Sequence, residues 1–390
     1  MKHYFTLFLL FSLNGLLAQS HSSCDGIRYR TNVFSEVEVT QGLQFGSGTT
    51  IGGDFQELFM DIYEPVGDAA NQRPAVVLAF GGSYITGDRE DLDWLCEAYT
   101  QRGFVAVTID YRLYDLSIIP LPTAEEMQDV VTRSISDMKA AIRYLREDAA
   151  TDNLYRIDPN LIFVGGISAG AITAAHTAVL DSTDVFSPEL LELIQTNGGF
   201  EGNSSDNLEY SSEVQGFVNF SGGLNDASWI DAGDPPFVSM HDENDGTVPY
   251  GSGNASVFGI PIIFMDGSLV LKQVADSVGV VNELRTIENS NGHVSYFGSN
   301  ASTNSTLNFT AEFLHDIICS GVVSSIDHPV DDLPDVKVFP NPTTGLIQIT
   351  SAEHQSFHFS LYNALGQPLG TWENTTEIDL SGFSSGIYFL

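Results

Sequence analysis

The sequence predicts an α/β domain with a central, mostly parallel sheet and flanking helices, followed by a small C-terminal β-sandwich. Short apolar runs typical of buried strands alternate with helix-compatible runs up to about residue 318. One such run, residues 161–165, leads into a glycine-containing pentapeptide at 166–170 and then into a helical run. Residues 337–390 hold only short alternating strand patterns. The length of 390 residues accommodates both domains.

The pentapeptide contains the candidate nucleophile. Residues 166–170 read Gly-Ile-Ser-Ala-Gly, so the serine of this G-x-S-x-G pattern is Ser168. A strand before the pattern and a helix after it are the context of a nucleophile elbow. Small neighbours let the strand and helix pass close together at such a sharp turn, and the helix N-terminus favours negative charge near the serine oxygen. We therefore predict that Ser168 is a catalytic nucleophile, although the bare pattern also occurs by chance.

A candidate acid follows a later strand. An activated serine requires a general base, and the base requires an acid that orients it. The apolar residues 236–240 are followed by His-Asp-Glu-Asn-Asp-Gly-Thr-Val-Pro at 241–249. This segment resembles the H-G-x-x-D-x-x-V-P segment that carries the acid in many α/β-hydrolases. The resemblance implies that Asp245 is the acid and that Asp242 stands where glycine is usual. A solvated acidic loop and a weak calcium site are the alternative interpretations.

The candidate base is selected by its position. In α/β-hydrolases the triad follows the chain order serine, acid, histidine. Residues 282–288 form a strand-like run that ends at a loop containing His293. The chain has nine histidines, and only His293 ends a strand downstream of the predicted acid. We therefore predict that His293 is the general base; the alternative is an ordinary surface histidine.

A second glycine-containing turn is the candidate oxyanion loop. The apolar residues 75–80 are followed by Gly-Gly-Ser-Tyr at 81–84. This turn resembles the H-G-G-G loop of esterases and lipases, with Phe80 in place of the histidine and Ser83 in place of the third glycine. A plain β-turn after a strand is the alternative. The Asp-Tyr-Arg segment at 110–112 also matches this esterase branch, and we interpret it as a structural brace. The resemblance implies three backbone N–H donors for an oxyanion: Gly82, Ser83 and Ala169.

Together, four ordered motifs between about residues 55 and 318 resemble the α/β-hydrolase family, most closely its carboxylesterase branch. The resemblance implies a secreted serine carboxylic-ester hydrolase that acts through an acyl-enzyme and needs no metal or organic cofactor. A serine peptidase of the same fold would use the same triad, and an inactive adhesion or binding module is a further alternative. The motifs leave the substrate open among short aliphatic, plant-polysaccharide and polymeric esters.

The N-terminus and the charge predict export. Residues 1–18 have the short basic start, the apolar stretch and the small final residue of a signal peptide. A lipid anchor at Cys24 is disfavoured because polar residues separate it from the apolar stretch. The chain has 51 acidic and 15 basic residues, a formal net charge of −36. This charge disfavours nucleic acids and anionic membrane surfaces as partners, and no other apolar run is long enough to span a bilayer. We expect a protein that is exported through the periplasm to the cell surface or the medium.

The three cysteines allow at most one intramolecular disulfide. Cys96 falls in a helical run and is predicted to be a buried apolar residue. Cys24 and Cys319 flank the hydrolase domain, which we place at residues 24–319, and the termini of a domain often lie close together. We therefore predict a disulfide between Cys24 and Cys319.

The C-terminal part is predicted to be a separate domain. Residues 320–336 have the composition of a linker, with two prolines and four aspartates. Residues 337–390 resemble the C-terminal sorting domain of the type IX secretion system of Bacteroidetes in three places: Pro-Asn-Pro-Thr-Thr-Gly at 340–345, Asn-Ala-Leu-Gly at 363–366 and Gly-Ile-Tyr-Phe at 386–389. The resemblance implies a partner in the secretion machinery. It also implies a further strand and a basic end, so we expect the native chain to continue beyond Leu390. A carbohydrate-adhering module is the alternative.

One insertion is a candidate lid. Residues 181–213 lie between the helix after the elbow and the next core strand, and they contain an amphipathic run. An insertion at this point commonly covers the substrate pocket in the family, so we predict a lid there. A surface excursion without a role at the pocket is the alternative.

Overall fold

A computed structural model describes most of the chain: residues 23–115, 121–320, 336–339, 345–351, 358–363, 368–373, 375–382 and 388–389. The predicted signal peptide at 1–18 lies outside the described residues. So do residues 321–335, which include nearly all of the predicted linker. The chain divides into two compact units, residues 1–324 and 325–390.

Among the described residues, the first unit has eleven strands, of which eight form the main sheet and three form a small second sheet, and helices pack around them. Its strands are β1 (Val37–Thr49), β2 (Phe55–Pro65), β3 (Arg73–Ala79), β4 (Val105–Ile109), β5 (Ile157–Ile167), β6 (Phe217–Phe220), β7 (Gly223–Leu224), β8 (Phe237–Asp242), β9 (Ser252–Val257), β10 (Ile260–Gly267) and β11 (Asn282–Ile287). Its helices are α1 (Asp93–Thr100), α2 (Ala124–Ala150), α3 (Ala169–Val179), α4 (Pro188–Thr196), α5 (Ser268–Val278) and α6 (Asn300–Ser320).

The strand order in the main sheet is β1-β2-β4-β3-β5-β6-β8-β11. The pairs β1–β2 and β2–β4 are antiparallel, and every later pair is parallel. The predicted α/β-hydrolase fold, with a mostly parallel central sheet, is therefore confirmed. Parallel strands end at the same edge of a sheet, and ligands of open α/β sheets bind at that edge. Strands β3, β5, β8 and β11 consequently bring the loops that follow them together.

The central strands form the core of this unit. Every residue of β3, β4, β6 and β8 is buried, as expected for parallel strands that helices cover on both faces. The longest helix, α2, begins with a capping box in which Thr123 and Glu126 satisfy each other's backbone N–H groups. No helix in the described part of the chain combines the length and apolar character that crossing a bilayer requires.

A disulfide joins the two ends of the first unit. The structure links Cys24 to Cys319 in α6, with their Cα atoms 5.7 Å apart. Cys96 is a buried free thiol on α1, and burial raises the pKa of this thiol well above its usual value. It is therefore protonated and packs as an apolar residue.

The insertion at 181–213 contains α4 and is fastened to α2 by polar contacts. The ammonium group of Lys139 on α2 donates to the carbonyl oxygen of Phe200 at 2.6 Å. The hydroxyl of Ser136, also on α2, lies 2.7 Å from the hydroxyl of Ser204. Both α2 residues are almost fully buried. These contacts hold the insertion against the helical layer.

The second unit consists of two small antiparallel sheets. One has the order β12 (Val336–Phe339), β13 (Leu346–Ser351), β16 (Glu377–Asp379), and the other has the order β15 (Pro368–Glu373), β14 (His358–Asn363), β17 (Tyr388–Phe389). Ile347 and Ile378 pair across β13 and β16 and are both buried. Residues 340–344, 364–367 and 383–387, which include parts of the three sequence motifs of this unit, lie outside the described residues.

Candidate active site

Ser168 occupies a sharp turn between β5 and α3. Its backbone has φ 56° and ψ −116°, a conformation that costs roughly 1–3 kcal/mol for a residue with a side chain. The glycines on either side have no room for a Cβ atom. A Cβ on Gly166 would lie 2.4 Å from the carbonyl carbon of Gly170, and one on Gly170 would lie 2.0 Å from the carbonyl oxygen of Ala79. The two glycines thus let β5, α3 and β3 meet at the serine, as the pentapeptide predicts.

Three side chains that are distant in sequence form one hydrogen-bonded chain. The Nε2 atom of His293 lies 2.8 Å from the Oγ atom of Ser168, and its Nδ1 atom lies 2.7 Å from the Oδ2 atom of Asp245. In the neutral tautomer that satisfies both contacts, the serine hydroxyl donates to Nε2 and the Nδ1–H group donates to the carboxylate. Ser168 follows β5, Asp245 follows β8 and His293 follows β11.

The Asp245 side chain is fully buried, and both of its carboxylate oxygens have hydrogen-bond partners. Its Oδ1 atom accepts hydrogen bonds from the backbone N–H groups of Thr247 at 2.8 Å and Val248 at 3.2 Å. The Nε2 atom of the buried His241 lies 3.5 Å from Oδ2. Burial on its own would raise the pKa of Asp245, but hydrogen bonds from His241 and His293 outweigh it and hold that pKa well below its usual value. Asp245 is therefore ionised at neutral pH.

The other two acids of this loop bind the loop that carries His293. The Asp242 carboxylate accepts hydrogen bonds from the backbone N–H group of Ser295 at 2.9 Å and from its hydroxyl group. The Glu243 carboxylate accepts one from the backbone N–H group of Asn289 at 2.6 Å. Among the residues that the structure describes, no group of three or more His, Cys, Asp or Glu side chains is arranged to hold a metal ion. The acidic loop instead aligns the histidine loop.

The turn after β3 has an unusual backbone. Gly82, Ser83 and Tyr84 have φ values of 127°, 56° and 61°, so three consecutive residues lie in the left-handed half of conformational space. A Cβ atom on Gly82 would lie 2.0 Å from the carbonyl oxygen of Thr86, so only glycine fits there. Positive φ values at two consecutive non-glycine residues, Ser83 and Tyr84, indicate that this turn is held by tertiary contacts.

Two tyrosines supply those contacts. The Tyr84 hydroxyl donates to the carbonyl oxygen of Ala169 at 2.8 Å, which ties the turn to the first residue of α3. The Tyr111 hydroxyl donates to the carbonyl oxygen of Phe80 at 2.8 Å, and the two rings stack with centroids 4.3 Å apart. The turn is thus braced although Phe80 replaces the histidine of the related loops. As the first residue of α3, Ala169 has a backbone N–H group without a partner inside the helix.

A cavity of about 450 Å³, which includes open solvent at its mouth, lies beside the Ser168 side chain. Ser83, Tyr84 and Ala169 also line it, and none of the described residues that line it carries a charge. Most of its wall is apolar, from α2, α3 and the β9–β10 hairpin: Met127, Val131, Ile172, Ala255, Val257, Ile262, Ile263 and Met265. The hairpin was not predicted from the sequence. The predicted lid at 181–213 contributes none of the described lining residues.

Two family models match the chain. Residues 60–228 match the BD-FAE family, and residues 337–390 match the secretion system C-terminal sorting domain. No curated protein is significantly similar to the chain in sequence.

Solved structures of esterase 2 from the planctomycete Thermogutta terrifontis share the fold. The propionate-bound form is 23% identical with a TM-score of 0.50, and the match covers 73% of this chain and 96% of that one. The form phosphorylated by paraoxon is 24% identical with a TM-score of 0.51, covering 73% and 95% of the two chains. The apo form is 23% identical with a TM-score of 0.50, covering 74% and 97%.

Proposed function

The chain is an esterase-type α/β-hydrolase with a BD-FAE domain and a C-terminal secretion sorting domain, and from this premise we propose that it hydrolyses esters through a Ser168–His293–Asp245 triad. The sorting domain marks it for export to the cell surface or the medium. The observation that carries the proposal is the hydrogen-bonded chain from Asp245 through His293 to Ser168, with contacts of 2.7 and 2.8 Å. This arrangement activates a serine hydroxyl that is otherwise a weak nucleophile at neutral pH.

The proposed reaction has two halves. In the first, the Ser168 Oγ atom attacks the ester carbonyl carbon while His293 Nε2 takes the hydroxyl proton. The tetrahedral intermediate collapses, His293 returns the proton to the departing alcohol, and the acyl group stays on Ser168. In the second half, water attacks the acyl-enzyme with the same proton transfers and releases the carboxylic acid. Asp245, ionised and bound to Nδ1, stabilises the imidazolium that forms in each half.

The negative charge on the carbonyl oxygen requires donors near Ser168. We assign these to the backbone N–H groups of Ala169 and of the Gly82-Ser83 turn. Support comes from the position of Ser83 and Ala169 beside Ser168 in one cavity and from the Tyr84 hydrogen bond that joins the turn to α3. Donors that are held before the reaction stabilise a developing oxyanion without further rearrangement.

The lining of the cavity favours a neutral acyl group. Its described lining residues are uncharged and mostly apolar, so a charged acyl chain would be desolvated there without a partner. The Thermogutta esterase, which shares the fold, is described with bound propionate, a short carboxylate. We therefore propose short-chain esters as the substrate class.

An ester panel tests the proposal. Purified full-length protein is assayed on soluble acetyl, butyryl and feruloyl esters and on matched peptide amides. We expect hydrolysis of short esters, little hydrolysis of the amides, and a loss of at least about 10³-fold for Ser168→Ala because the nucleophile is gone. Ser277→Ala, at an exposed serine of α5, is the matched control and should keep full activity. Faster hydrolysis of peptides than of esters, or no activity on any ester, would overturn the proposal.

A further inference from the structure

In sequence, the β9–β10 hairpin lies between the loop that carries Asp245 and strand β11, which precedes His293. One face of the hairpin forms a wall of the cavity beside Ser168. Ala255 pairs with Ile263 across the two strands, and both line the cavity. Val257 and Met265 line it as well and are almost fully buried. Side chains alternate between the two faces of a strand. Packing on the cavity-facing side therefore explains why Ala255 and Val257 on β9 are apolar.

The apolar residues at the tip of the hairpin are exposed to solvent, so burial in the core does not explain why they are apolar. Phe258 is 77% exposed and Ile260 is 51% exposed, and Phe264 further along β10 is 55% exposed. Val257 and Ile262, on either side of the tip, both line the cavity. The exposed Phe258 and Ile260 therefore lie at the end of the hairpin, directly beside residues that form the cavity wall.

The turn itself makes Phe258 an unfavourable choice for folding. Phe258 and Gly259 have φ values of 49° and 78°, and the flanking residues Val257 and Ile260 pair with each other. This is the two-residue hairpin turn that favours Asn-Gly, because asparagine tolerates a left-handed backbone and a bulky aromatic residue does not. Phe258 is thus both strained and exposed to water. Neither turn chemistry nor core packing accounts for it, and such residues concentrate at functional sites.

The segment of chain that contains the tip has no charged residue. Residues 246–265 contain no Asp, Glu, Lys or Arg, in a chain with 51 acidic and 15 basic residues. An apolar tip inside a charge-free segment matches a neutral surface. The net charge of −36 excludes an anionic surface on electrostatic grounds.

We propose that the hairpin tip, with Phe258 at its end, docks onto the surface of an undissolved neutral ester and holds the cavity mouth against it. Burial of an exposed aromatic side chain in an apolar phase is favourable, and it offsets the local strain of the turn. The docking itself is independent of turnover, whereas its benefit for hydrolysis rests on the proposed ester-hydrolase function. Docking would also deliver substrate to the active site, because an ester molecule that leaves the undissolved surface at the tip meets the cavity wall at Val257, next to Phe258.

Adsorption to an emulsion tests the docking without turnover. Full-length Ser168→Ala protein is mixed with tributyrin droplets, and the protein left in solution is measured after centrifugation. Introducing Phe258→Asn into this protein should weaken adsorption about tenfold, which corresponds to losing about half of the free energy of burying an aromatic side chain. The same change should raise or preserve the thermal midpoint, because asparagine suits the turn. Phe55→Asn is the matched control: Phe55 on β2 is 72% exposed and does not line the cavity, so its removal should leave adsorption unchanged.

Rates on the same ester give the second readout. Tributyrin is supplied below and above its solubility limit to enzymes with an intact Ser168. For Phe258→Asn we expect the ratio of emulsion rate to dissolved rate to fall about tenfold relative to wild type. Unchanged adsorption, or an equal loss for Phe55→Asn, would overturn the docking proposal while leaving the hydrolase function intact. Adsorption that depends on Phe258 without any hydrolysis of dissolved tributyrin would instead support docking and contradict the proposed function.

Discussion

The Asp242 carboxylate accepts two hydrogen bonds from Ser295, one from its backbone N–H group at 2.9 Å and one from its hydroxyl. Ser295 lies two residues after His293, so Asp242 fixes the loop that carries the histidine, whereas Asp245 contacts the imidazole itself. Two acids three residues apart at the end of one strand thus have different tasks. Asp242 aligns the loop that carries His293, and Asp245 orients the imidazole ring of His293.

This division predicts different costs for the two acids. We expect Asp245→Asn to lower kcat about 10⁴-fold, because the wrong histidine tautomer is stabilised. Asp242→Asn lowers it by at most about 100-fold, because the loop shifts while the triad side chains remain. Steady-state kinetics on a soluble ester, with thermal melts to monitor folding, measure both variants. A larger loss at Asp242 would show that the acid is misassigned.

Tyr84→Phe tests the brace between the oxyanion turn and α3. The variant loses the hydrogen bond from the hydroxyl to the Ala169 carbonyl oxygen, so the two sets of proposed oxyanion donors are held less firmly. We expect kcat to fall roughly fivefold to tenfold with KM unchanged, the effect of about 1 kcal/mol on the transition state. Affinity for a boronic acid, which mimics the tetrahedral intermediate, should fall in parallel.

The control for this variant is Tyr99→Phe. Tyr99 is also fully buried, and its hydroxyl lies 2.8 Å from that of Thr310, away from the site. Its loss should change stability and leave kcat unaltered. A rise in KM at constant kcat for Tyr84→Phe would contradict the role of the brace.

His176 makes stability depend on pH. It is buried on α3, where its Nδ1–H group donates to the carbonyl oxygen of Ile172 at 2.7 Å and its Nε2 atom lies 3.0 Å from the side-chain oxygen and 3.3 Å from the backbone nitrogen of Asn225. Burial lowers the pKa of His176 to about 4 from 6.5. Because the unfolded chain binds this proton at higher pH than the folded chain, the stabilisation is complete above pH 6.5 and is lost as the pH falls toward 4.

The free energy of unfolding should therefore fall by up to about 3 kcal/mol across this range from His176 alone. Urea denaturation at a series of pH values measures it. His176→Gln, which does not titrate, should show a shallower decline. An identical decline in both proteins would rule out His176 as its source.

The C-terminal domain should be dispensable for chemistry and required for export. Every proposed catalytic residue precedes Cys319, so a variant that ends at Ser320 should keep wild-type kcat and KM on soluble esters. In a host with type IX secretion machinery it should accumulate in the periplasm, because the sorting domain is missing. A carbohydrate-adhering module would give normal export and a loss confined to insoluble polysaccharide esters. Normal secretion of the truncated chain would contradict the sorting role.

The parts of the candidate site that could be predicted most directly from the sequence are those that require a particular local backbone conformation. The elbow at Ser168 requires glycine at 166 and 170, because no Cβ atom fits at either position. That requirement appears as a motif in the sequence, and the fold predicted from it is confirmed. His293 had no motif of its own, but the chain order of the fold selected it among nine histidines.

The substrate cavity was harder to predict because tertiary contacts form it. Strand β9 reads Ser-Gly-Asn-Ala-Ser-Val, which has few strand-favouring residues, and its turn uses Phe-Gly in place of the usual Asn-Gly signal. The hairpin was therefore missed. The lid at 181–213 stays a prediction: an amphipathic helix does not reveal which surface it covers. The insertion is fastened to α2, and none of its described residues lines the cavity.

The proposed acyl-enzyme on Ser168 can be detected directly. Full-length protein is mixed with excess p-nitrophenyl butyrate, quenched in acid within the first turnovers, digested and analysed by mass spectrometry. We expect a butyryl group on the peptide that contains Ser168, an initial burst of p-nitrophenol where deacylation is slow, and neither signal in Ser168→Ala. Ester turnover with a butyryl group on another residue, or turnover that survives in Ser168→Ala, would contradict this proposal.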